Sequence, residues 1–513
     1  MASRTESVRM AARAPILGLD FGTTNTSAAF IDAAGKLRLV KATENSALLP
    51  SVVWYHKAGK ALVGASARTP IIEDPRNTIF EVKRVVGRRF RSQFVARVRE
   101  RYAYELVEGP DGTCAVRVHG QVTPMGEVAA RIIERIAQLS AAANEGVPFE
   151  ECVLTAPAHA TFRQREVLRG AAQKAGLRVL AIVNEPTAAA LYYANLRNPH
   201  QTVLIFDLGG GTLDATLMSV EHRVVRVLAT GGDAFLGGGD FDAAIANRFA
   251  DRFAVRHGID LRPNRVVLQR LAFAAETAKI ALSTREQTRV RIPCVAQKEG
   301  RFLDFEGTLT RSGLEGIVDQ LIERCAGACE DVLARAKIAV DQVDELVLVG
   351  GQTRMPAIRS RFAHFKRHSS EKDVHPELGV AVGAAVLGRN LARGNPGLQD
   401  VAPLPISLMA PGGVTKEVIA ANSPVPCVRT VKLEGLPPWQ APVPVAIFET
   451  TDATSIEREV FGTVFVGAEW RVGKGSPSLQ LELARDFSLK AKLIAPDGRV
   501  APVVIQELRG GAR

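Results

Sequence analysis

Two aspartates stand at the mouths of two similar turns. In Gly18-Leu19-Asp20-Phe21-Gly22-Thr23-Thr24-Asn25 and in Phe206-Asp207-Leu208-Gly209-Gly210-Gly211-Thr212-Leu213-Asp214, an apolar run meets an acid, then glycines and threonines, before apolar residues resume. Glycine lets backbone N–H groups approach phosphate oxygens without a Cβ in the way, and threonine hydroxyls add donors. Asp20 and Asp207 end equivalent strands of what read as two duplicated halves. Facing each other across a cleft, they would hold Mg2+ through its waters, because that ion gives up water reluctantly. Neither turn is a Walker motif, since no Gly-Lys-Ser/Thr follows. Either one alone is most simply an ordinary glycine turn; two acid-bearing copies ask for a different explanation.

Such groups need rigid elements to hold them. Ile16–Leu19 and Ser27–Ile31 flank the first turn, and Val203–Phe206 leads into the second, so each reads as strand, turn, strand. A third signature joins the apolar run Glu345–Val349 to Gly350-Gly351-Gln352-Thr353-Arg354, with a helix expected after Pro356. That strand-to-helix turn suits close approach by a ribose or phosphate. Residues 264–284 have helical periodicity, and Glu276, Lys279 and Ser283 fall at i, i+3 and i+7 on one face. By spacing alone, that face is equally a solvated polar stripe.

In this order the three signatures resemble the DnaK-type heat-shock protein 70 chaperones of the actin-like ATPase superfamily. Asn77 to Phe90, Thr155-Ala156-Pro157, Asn184-Glu185-Pro186-Thr187 and Leu236-Gly237-Gly238-Gly239-Asp240-Phe241-Asp242 agree with it. The match is strong over 15–390 and weak beyond. It implies an α/β, two-lobed actin-like ATPase domain, a duplicated ribonuclease H-like fold, over 16–392. A linker at 393–400 and a β-sandwich like a peptide-binding domain at 401–508 follow, with a disordered leader at 1–15 and a tail at 509–513. The implied cofactors are ATP or ADP with Mg2+, and K+ is a further candidate. Asp20 and Asp207 would organise Mg2+ through waters. Thr23, Thr24 and Thr212 would surround the β- and γ-phosphates, with Gly22, Asn25, Gly209, Gly210 and Gly211 also at the nucleotide. Lys83 would reach the γ-phosphate and its attacking water, and Glu185 would place metal-bound waters, which is the positioning and charge neutralisation that phosphoryl transfer depends on. Outside this motif set, Lys83 is an ordinary solvated charge and Glu185 a helix-start signal. Glu276, Lys279, Ser283, Gly350, Gly351 and Arg354 would form the adenosine pocket, with Ile280 in its bacterial form.

Composition narrows the class. A chain 46% hydrophobic and 23% charged is that of a globular protein with several cores. No apolar run approaches the roughly 18 residues of a membrane span. The first fifteen residues carry Arg4, Arg9 and Arg13 but no apolar core of a secretory signal. The six cysteines are scattered, which points to a reducing, cytoplasmic setting, and Cys325 and Cys329 read as buried thiols. The net charge of +11 is high for the family. The basic run from Lys83 through Arg101 has few interleaved aromatics, so it reads as solvated surface, with neither a specific nucleic acid nor a membrane as partner.

The chain departs from the family in three places. Arg393-Gly394-Asn395-Pro396-Gly397 is breaker-rich, and Pro396-Gly397-Leu398-Gln399 leaves one aliphatic residue before Asp400 where family members carry a run of them. A poorly docking linker and weak domain coupling are expected. Alternating runs at 443–448, 479–483 and 487–494, with turn signals at 473–475 and 496–498, fit the β-sandwich, which either holds an extended apolar client peptide or is degenerate. The sequence ends at Arg513 where the family continues into a helical lid, so a lidless form with quick peptide release is expected. Ala181 stands where an arginine engages the J-domain cochaperone, which puts that partner in question; a nucleotide exchange factor is the other implied one. Pro157 and Arg165 match the family's proline switch and its relay. Three readings follow: an ATP-hydrolysing chaperone, a regulatory or scaffold nucleotide switch, and a superfamily sugar kinase, against which Asn184–Thr187 argues.

Overall fold

The protein is described from a computed structural model covering residues 14–57, 59–196, 200–222, 224–365, 367, 375–395, 397–437, 441–450, 458–470 and 475–506. The leader to residue 13, Pro396, Gly473, Lys474 and the 509–513 tail lie outside the described residues.

Two sheets repeat one plan. The first runs in the order Arg178–Asn184, Glu151–Ala156, Leu17–Asp20, Asn25–Ile31, Leu37–Leu39, with Leu49–Pro50 also paired to Asn25–Ile31. The second runs Glu345–Val349, Gln201–Leu208, Leu213–Glu221, Val224–Asp233, Leu398–Val401, Pro424–Val425. Each is built on an antiparallel hairpin, Leu17↔Phe30 in one and Gln201↔Val220 in the other. The first strand of each hairpin has a parallel neighbour on its other side, Leu17↔Cys152 and Val203↔Glu345. Parallel strands are buried on both faces, which is why Val203-Leu204-Ile205-Phe206 is uninterrupted by polar residues. The same logic ends each of these strands at the polar turn that carries Asp20 or Asp207.

Two helices join the sheets. Glu185–Leu196 and Gly379–Ala392 pack through Ala188, Ala189, Ala190, Val380, Ala384 and Leu387 against Ile16, Val153, Val203, Ile205 and Val347, which come from both sheets. Small side chains let helix and strand backbones approach closely, and the result fixes the two lobes on a common base. Cys325 and Cys329 are buried in the helix Arg311–Ala336, where burial pushes the Cys325 thiol up to about 12. Among the described residues no helix is long and apolar enough to cross a membrane.

Beyond Val401 the chain forms two four-stranded antiparallel sheets. One has the order Thr415–Ile419, Ile406–Met409, Val443–Thr450, Arg458–Val466; the other Cys427–Lys432, Ser478–Leu483, Leu489–Ile494, Val500–Val503. Leu479, Leu481 and Leu483 alternate inward with Ile447, Val464 and Leu493, the period-two pattern of a sandwich core. The strand expected from 487 begins at Leu489, because Phe487 sits in a left-handed turn (φ 60°) whose Asp486 carboxylate accepts from the Ser488 amide at 3.0 Å.

The linker departs from expectation. Leu398–Val401 is a strand, parallel to Val224–Asp233 (Val225↔Leu398, Arg226↔Gln399) and antiparallel to Pro424–Val425 (Asp400↔Val425). Poor docking was expected from the loss of aliphatic side chains, but pairing with a sheet edge is made by backbone groups and does not need them. The β-sandwich is seated against the first lobe as well. Phe162 joins the sandwich core, its amide donates to Glu449 Oε2 at 2.9 Å, and Arg163 lies 3.8 Å from Glu459.

Candidate functional site

The two glycine turns meet. A Cβ on Gly210 would lie 2.1 Å from Thr24 Oγ1, so only glycine lets the second-lobe turn come this close to the first. The segment after Leu236 stacks on the same turn, with Gly238 N and Gly239 N donating to the carbonyls of Gly209 (2.9 Å) and Gly210 (2.8 Å). Because Glu345–Val349 runs parallel to Gln201–Leu208 (Asp207↔Val349), Gly350 emerges beside Asp207. Gly350 has φ 85°, and a Cβ there would meet Leu208 O at 2.3 Å and Asp207 Oδ1 at 2.8 Å.

Between the lobes lies a cleft of about 530 Å³. Asp20, Gly22, Thr23, Thr24, Asn25, Lys83, Glu185, Asp207, Gly209, Gly210, Gly211 and Thr212 line one end of the sequence-derived set, and Glu276, Lys279, Ser283, Gly350, Gly351 and Arg354 complete it; all of them border this cleft. Ile280 borders it too. Each arrives from a different element. Asp20 and Asp207 come from strand ends, Lys83 from the short helix Val82–Val85, Glu185 from the first residue of Glu185–Leu196, and the Glu276 group from the helix Arg265–Leu282 with Ser283 as its C-cap.

The centre is crowded with acid. Lys83 Nζ is paired with Glu185 Oε1, both side chains nearly shut off from solvent. Asp20 Oδ1 accepts from Thr155 Oγ1 at 3.1 Å. Burial raises Asp20 above the usual carboxylate range while Lys83 and the Thr155 hydrogen bond pull it back. Burial, with the charges of Glu185, Asp214 and Asp20, holds Asp207 well above that range. Glu185 is pushed up to about 7, by burial first, against the pull of Lys83. Burial works against the Lys83 ammonium, yet Glu185, Asp20 and Asp207 together outweigh it and hold its pKa above the ordinary value. Two buried carboxylates and the partly buried Asp20 therefore share one ammonium, an excess of negative charge that a divalent cation would offset. Among the described residues no three His, Cys, Asp or Glu side chains converge to grip a metal directly.

The basic run is exposed at Arg91, Arg97 and Arg99, but its first two residues depart from the expected solvated surface. Lys83 and Arg84 are buried, and Arg84 Nη2 lies 3.1 Å from Asp240 Oδ2 across the cleft, where Arg101 also reaches Asp240 Oδ1 at 2.7 Å. Arg88 lies 3.7 Å over the Phe94 ring. Sequence reasoning also missed Gln269, which takes the Ala103 amide (2.9 Å) and donates to Ile71 O (3.3 Å), and Asp242, which pairs with Lys279 at 2.9 Å. Arg84–Asp240 and Ala103–Gln269 tie the lobes over the cleft, while Asp242–Lys279 joins two helices of the second lobe. Their sequence separations, 156 residues for Arg84–Asp240 and 166 for Ala103–Gln269, leave no local pattern to read. On the adenosine side, Lys279 Nζ also donates to Gly238 O at 3.0 Å, so it is held in the wall and is no part of a solvated stripe. Arg354 sits 3.3 Å from Glu377 at the rim.

Behind Glu185 runs a polar relay. Arg165 donates to the carbonyls of Pro157 (3.3 Å) and Ala158 (3.4 Å) and to Asn184 Oδ1 at 2.7 Å. Asn184 Nδ2 in turn donates to the linker's Asp400 at 3.2 Å. Burial pushes Asp400 up to about 6, opposed by the Val401 amide, Arg165 and Asn184. Arg165 also lies 4.5 Å over the Phe487 ring, so one guanidinium touches the proline loop, the residue before Glu185 and the β-sandwich. Ala181 lies on Arg178–Asn184, at the edge of the first sheet.

Comparison with known proteins agrees with this architecture. Residues 16–480 match the family described as Hsp70 protein. Over 500 residues, 96% of this chain and 76% of the relative, the chain is 33% identical to a protein of Dictyostelium discoideum named "Heat shock 70 kDa protein, mitochondrial". Over 417 residues, 80% of this chain and 67% of the relative, it is 38% identical to the "Chaperone protein DnaK" of Thermus thermophilus.

Proposed function

The chain belongs to the Hsp70 family, and from that premise we propose how its residues divide the work of an ATP-dependent chaperone. It is an ATP hydrolase with an actin-like ATPase fold and a β-sandwich, and the family binds ATP and ADP with Mg2+. The observation that carries the assignment of residues is the convergence of both glycine turns, both aspartates, Lys83 and Glu185 on one cleft.

We assign the triphosphate to the end formed by Thr23, Thr24, Gly210, Gly211 and Thr212, whose hydroxyls and backbone N–H groups supply donors. Bound Mg2+ supplies charge neutralisation and orients the phosphate oxygens. Asp20 and Asp207 would accept hydrogen bonds from the waters around that ion. The Lys83 ammonium, held in place by Glu185, is aimed at the transferring phosphoryl group and at the attacking water. Glu276, Lys279, Ser283, Gly350, Gly351 and Arg354 hold the adenosine. K+ is a candidate second cation beside the same acids.

We divide the chain into an ATPase domain at 16–392, a linker at 393–400 and a substrate-binding domain at 401–508. The client is an extended apolar peptide held by the β-sandwich, recognised through backbone hydrogen bonds and side-chain pockets. The linker strand and the Arg165 relay support nucleotide-dependent coupling between the two domains. A J-domain protein and an exchange factor are the partner classes, with Ala181 on the edge strand of the first sheet altering the first. The scattered thiols favour a reducing, cytoplasmic compartment. Single-turnover hydrolysis of labelled ATP with and without Mg2+, run beside fluorescent-peptide binding in ATP and ADP, tests the whole reading. Absence of Mg2+-dependent turnover, or peptide affinity indifferent to the nucleotide, would overturn it.

A further inference from the structure

His159 is a largely buried titratable group that the scheme above does not use. It sits in the loop after Pro157, its ring 16% exposed, with Nδ1 2.9 Å from Oδ1 of Asp214, a carboxylate that is 1% exposed. Asp214 belongs to the other lobe, on the strand Leu213–Glu221 that leaves the glycine turn. The same Oδ1 accepts the Ala158 amide at 3.0 Å, and Oδ2 is 3.5 Å from Thr212 Oγ1. One carboxylate therefore ties the proline loop of the first lobe to the threonine at the phosphate end of the second.

We propose that His159 is a positioning residue for ATP hydrolysis: its imidazolium fixes the Asp214 carboxylate, which in turn fixes the Ala158 amide and the Thr212 hydroxyl, so turnover is favoured by acid. The proposal rests on the nucleotide assignment above. The Asp214 carboxylate accepts from the Ala158 amide and the Thr212 hydroxyl and faces the His159 ring at ion-pair distance, so when that ring becomes neutral the buried Asp loses the charge that orients it. The charged groups facing the ring come from three elements. Asp214 and Asp233, from neighbouring strands, favour the imidazolium, and Arg335, from the helix Arg311–Ala336, opposes it. Burial pulls the ring down, but the two aspartates prevail and hold it above its ordinary 6.5. The contribution is therefore complete below that value and is lost as pH rises through the raised one. The loop concerned also carries the carbonyls that Arg165 grips, so the same protonation steadies the relay to the linker.

The test compares single-turnover rates of the full chain and His159→Gln at saturating Mg2+ and ATP across about pH 6 to 9. Titration of Glu185 affects both proteins and cancels in the ratio of their rates. The expected ratio, unmodified over variant, is about ten at the acid end and about one at the alkaline end, a tenfold change being equivalent to about 1.4 kcal/mol of barrier. A ratio that stays flat while the unmodified chain is active overturns the role of His159 and leaves the nucleotide assignment standing; absence of Mg2+-dependent turnover at every pH sinks both. If His159→Gln fails to fold, the imidazole resonance of His159 in the unmodified chain decides. A midpoint above 6.5 that coincides with the alkaline fall in rate supports the proposal, and a midpoint at or below it, or one unrelated to the rate, overturns it.

Discussion

Replacing Lys83 by alanine removes the ammonium that lies among Glu185, Asp20 and Asp207. Two effects follow, and they are separable. Catalytically, the loss is that of a preorganised electrostatic group aimed at developing charge, worth about 10²–10³ in rate or roughly 3–4 kcal/mol. Nucleotide affinity should change little, because the glycine turns, the threonines and the adenosine wall remain. Structurally, the three acids lose their shared cation. Glu185 already sits near 7, its carboxyl pushed up by burial. Since its folded value exceeds its unfolded one, the folded state holds the extra proton between the two, and stability falls as pH rises through that window. Without Lys83 the window extends upward. Lys83→Ala should thus be markedly less stable than the unmodified protein near pH 8 and close to it near pH 5, with Mg2+ and nucleotide recovering part of the difference. Single-turnover hydrolysis, calorimetry with ADP and urea unfolding at the two pH values measure the three quantities. Turnover at the unmodified rate would refute the assignment of Lys83, and a pH-independent stability loss would refute the electrostatic account of the site.

Other perturbations have equally direct readouts. Gly210→Val places a branched side chain against Thr24 Oγ1, where even a Cβ is too close; ATP affinity should drop by at least about 100-fold, equivalent to about 2.7 kcal/mol, and unchanged affinity by calorimetry would mean the turns do not meet. Burial pushes Glu449 up to about 8 at the interface with Phe162, so the docked state holds a proton that the undocked state releases. Docking followed by interdomain energy transfer in ATP should weaken as pH rises from the ordinary 4.5 to about 8, and Glu449→Gln should abolish that slope. Asp400→Ala and Asn184→Ala should each weaken docking of the linker strand by about 1–3 kcal/mol. Their double variant should lose no more than the worse single one, whereas additive losses would show that the 3.2 Å contact carries no coupling.

The turns at Asp20 and Asp207 were legible because phosphate chemistry dictates residue types at adjacent positions, and adjacency is what a sequence displays. The sandwich strands were legible for a similar reason, since inward alternation such as Leu479, Leu481, Leu483 is local. The basic run is solvated at Arg91, Arg97 and Arg99, and only its start departs from that reading, because burial is not local: Arg84 is drawn inside by Asp240, far along the chain. The linker was misread for the opposite reason. Its side chains changed, but the pairing of Leu398 with Val225 is made by the backbone, on which side-chain identity has little purchase. Phe487 and His159 gave no signal, because each matters only through a partner in another lobe or domain.

The order of contacts behind the cleft sets what coupling can be. Asp400 holds Asn184, and the next residue in sequence is Glu185, whose carboxylate holds Lys83. If the linker strand leaves the sheet edge, Asn184 loses an acceptor and the buried Arg165 loses a neighbouring carboxylate whose charge favours its guanidinium. A buried hydrogen bond to a charged group is worth about 1.5–3 kcal/mol, which is the size of a typical coupling free energy between two sites. A relay of that size would suffice to couple the two domains, which the Asp400→Ala and Asn184→Ala variants test. Because coupling is reciprocal in binding free energy, whatever nucleotide state best orders Lys83 and Glu185 must also be the one that best holds the linker, and a client that draws the β-sandwich away from Phe162 and Phe487 must loosen the same pair.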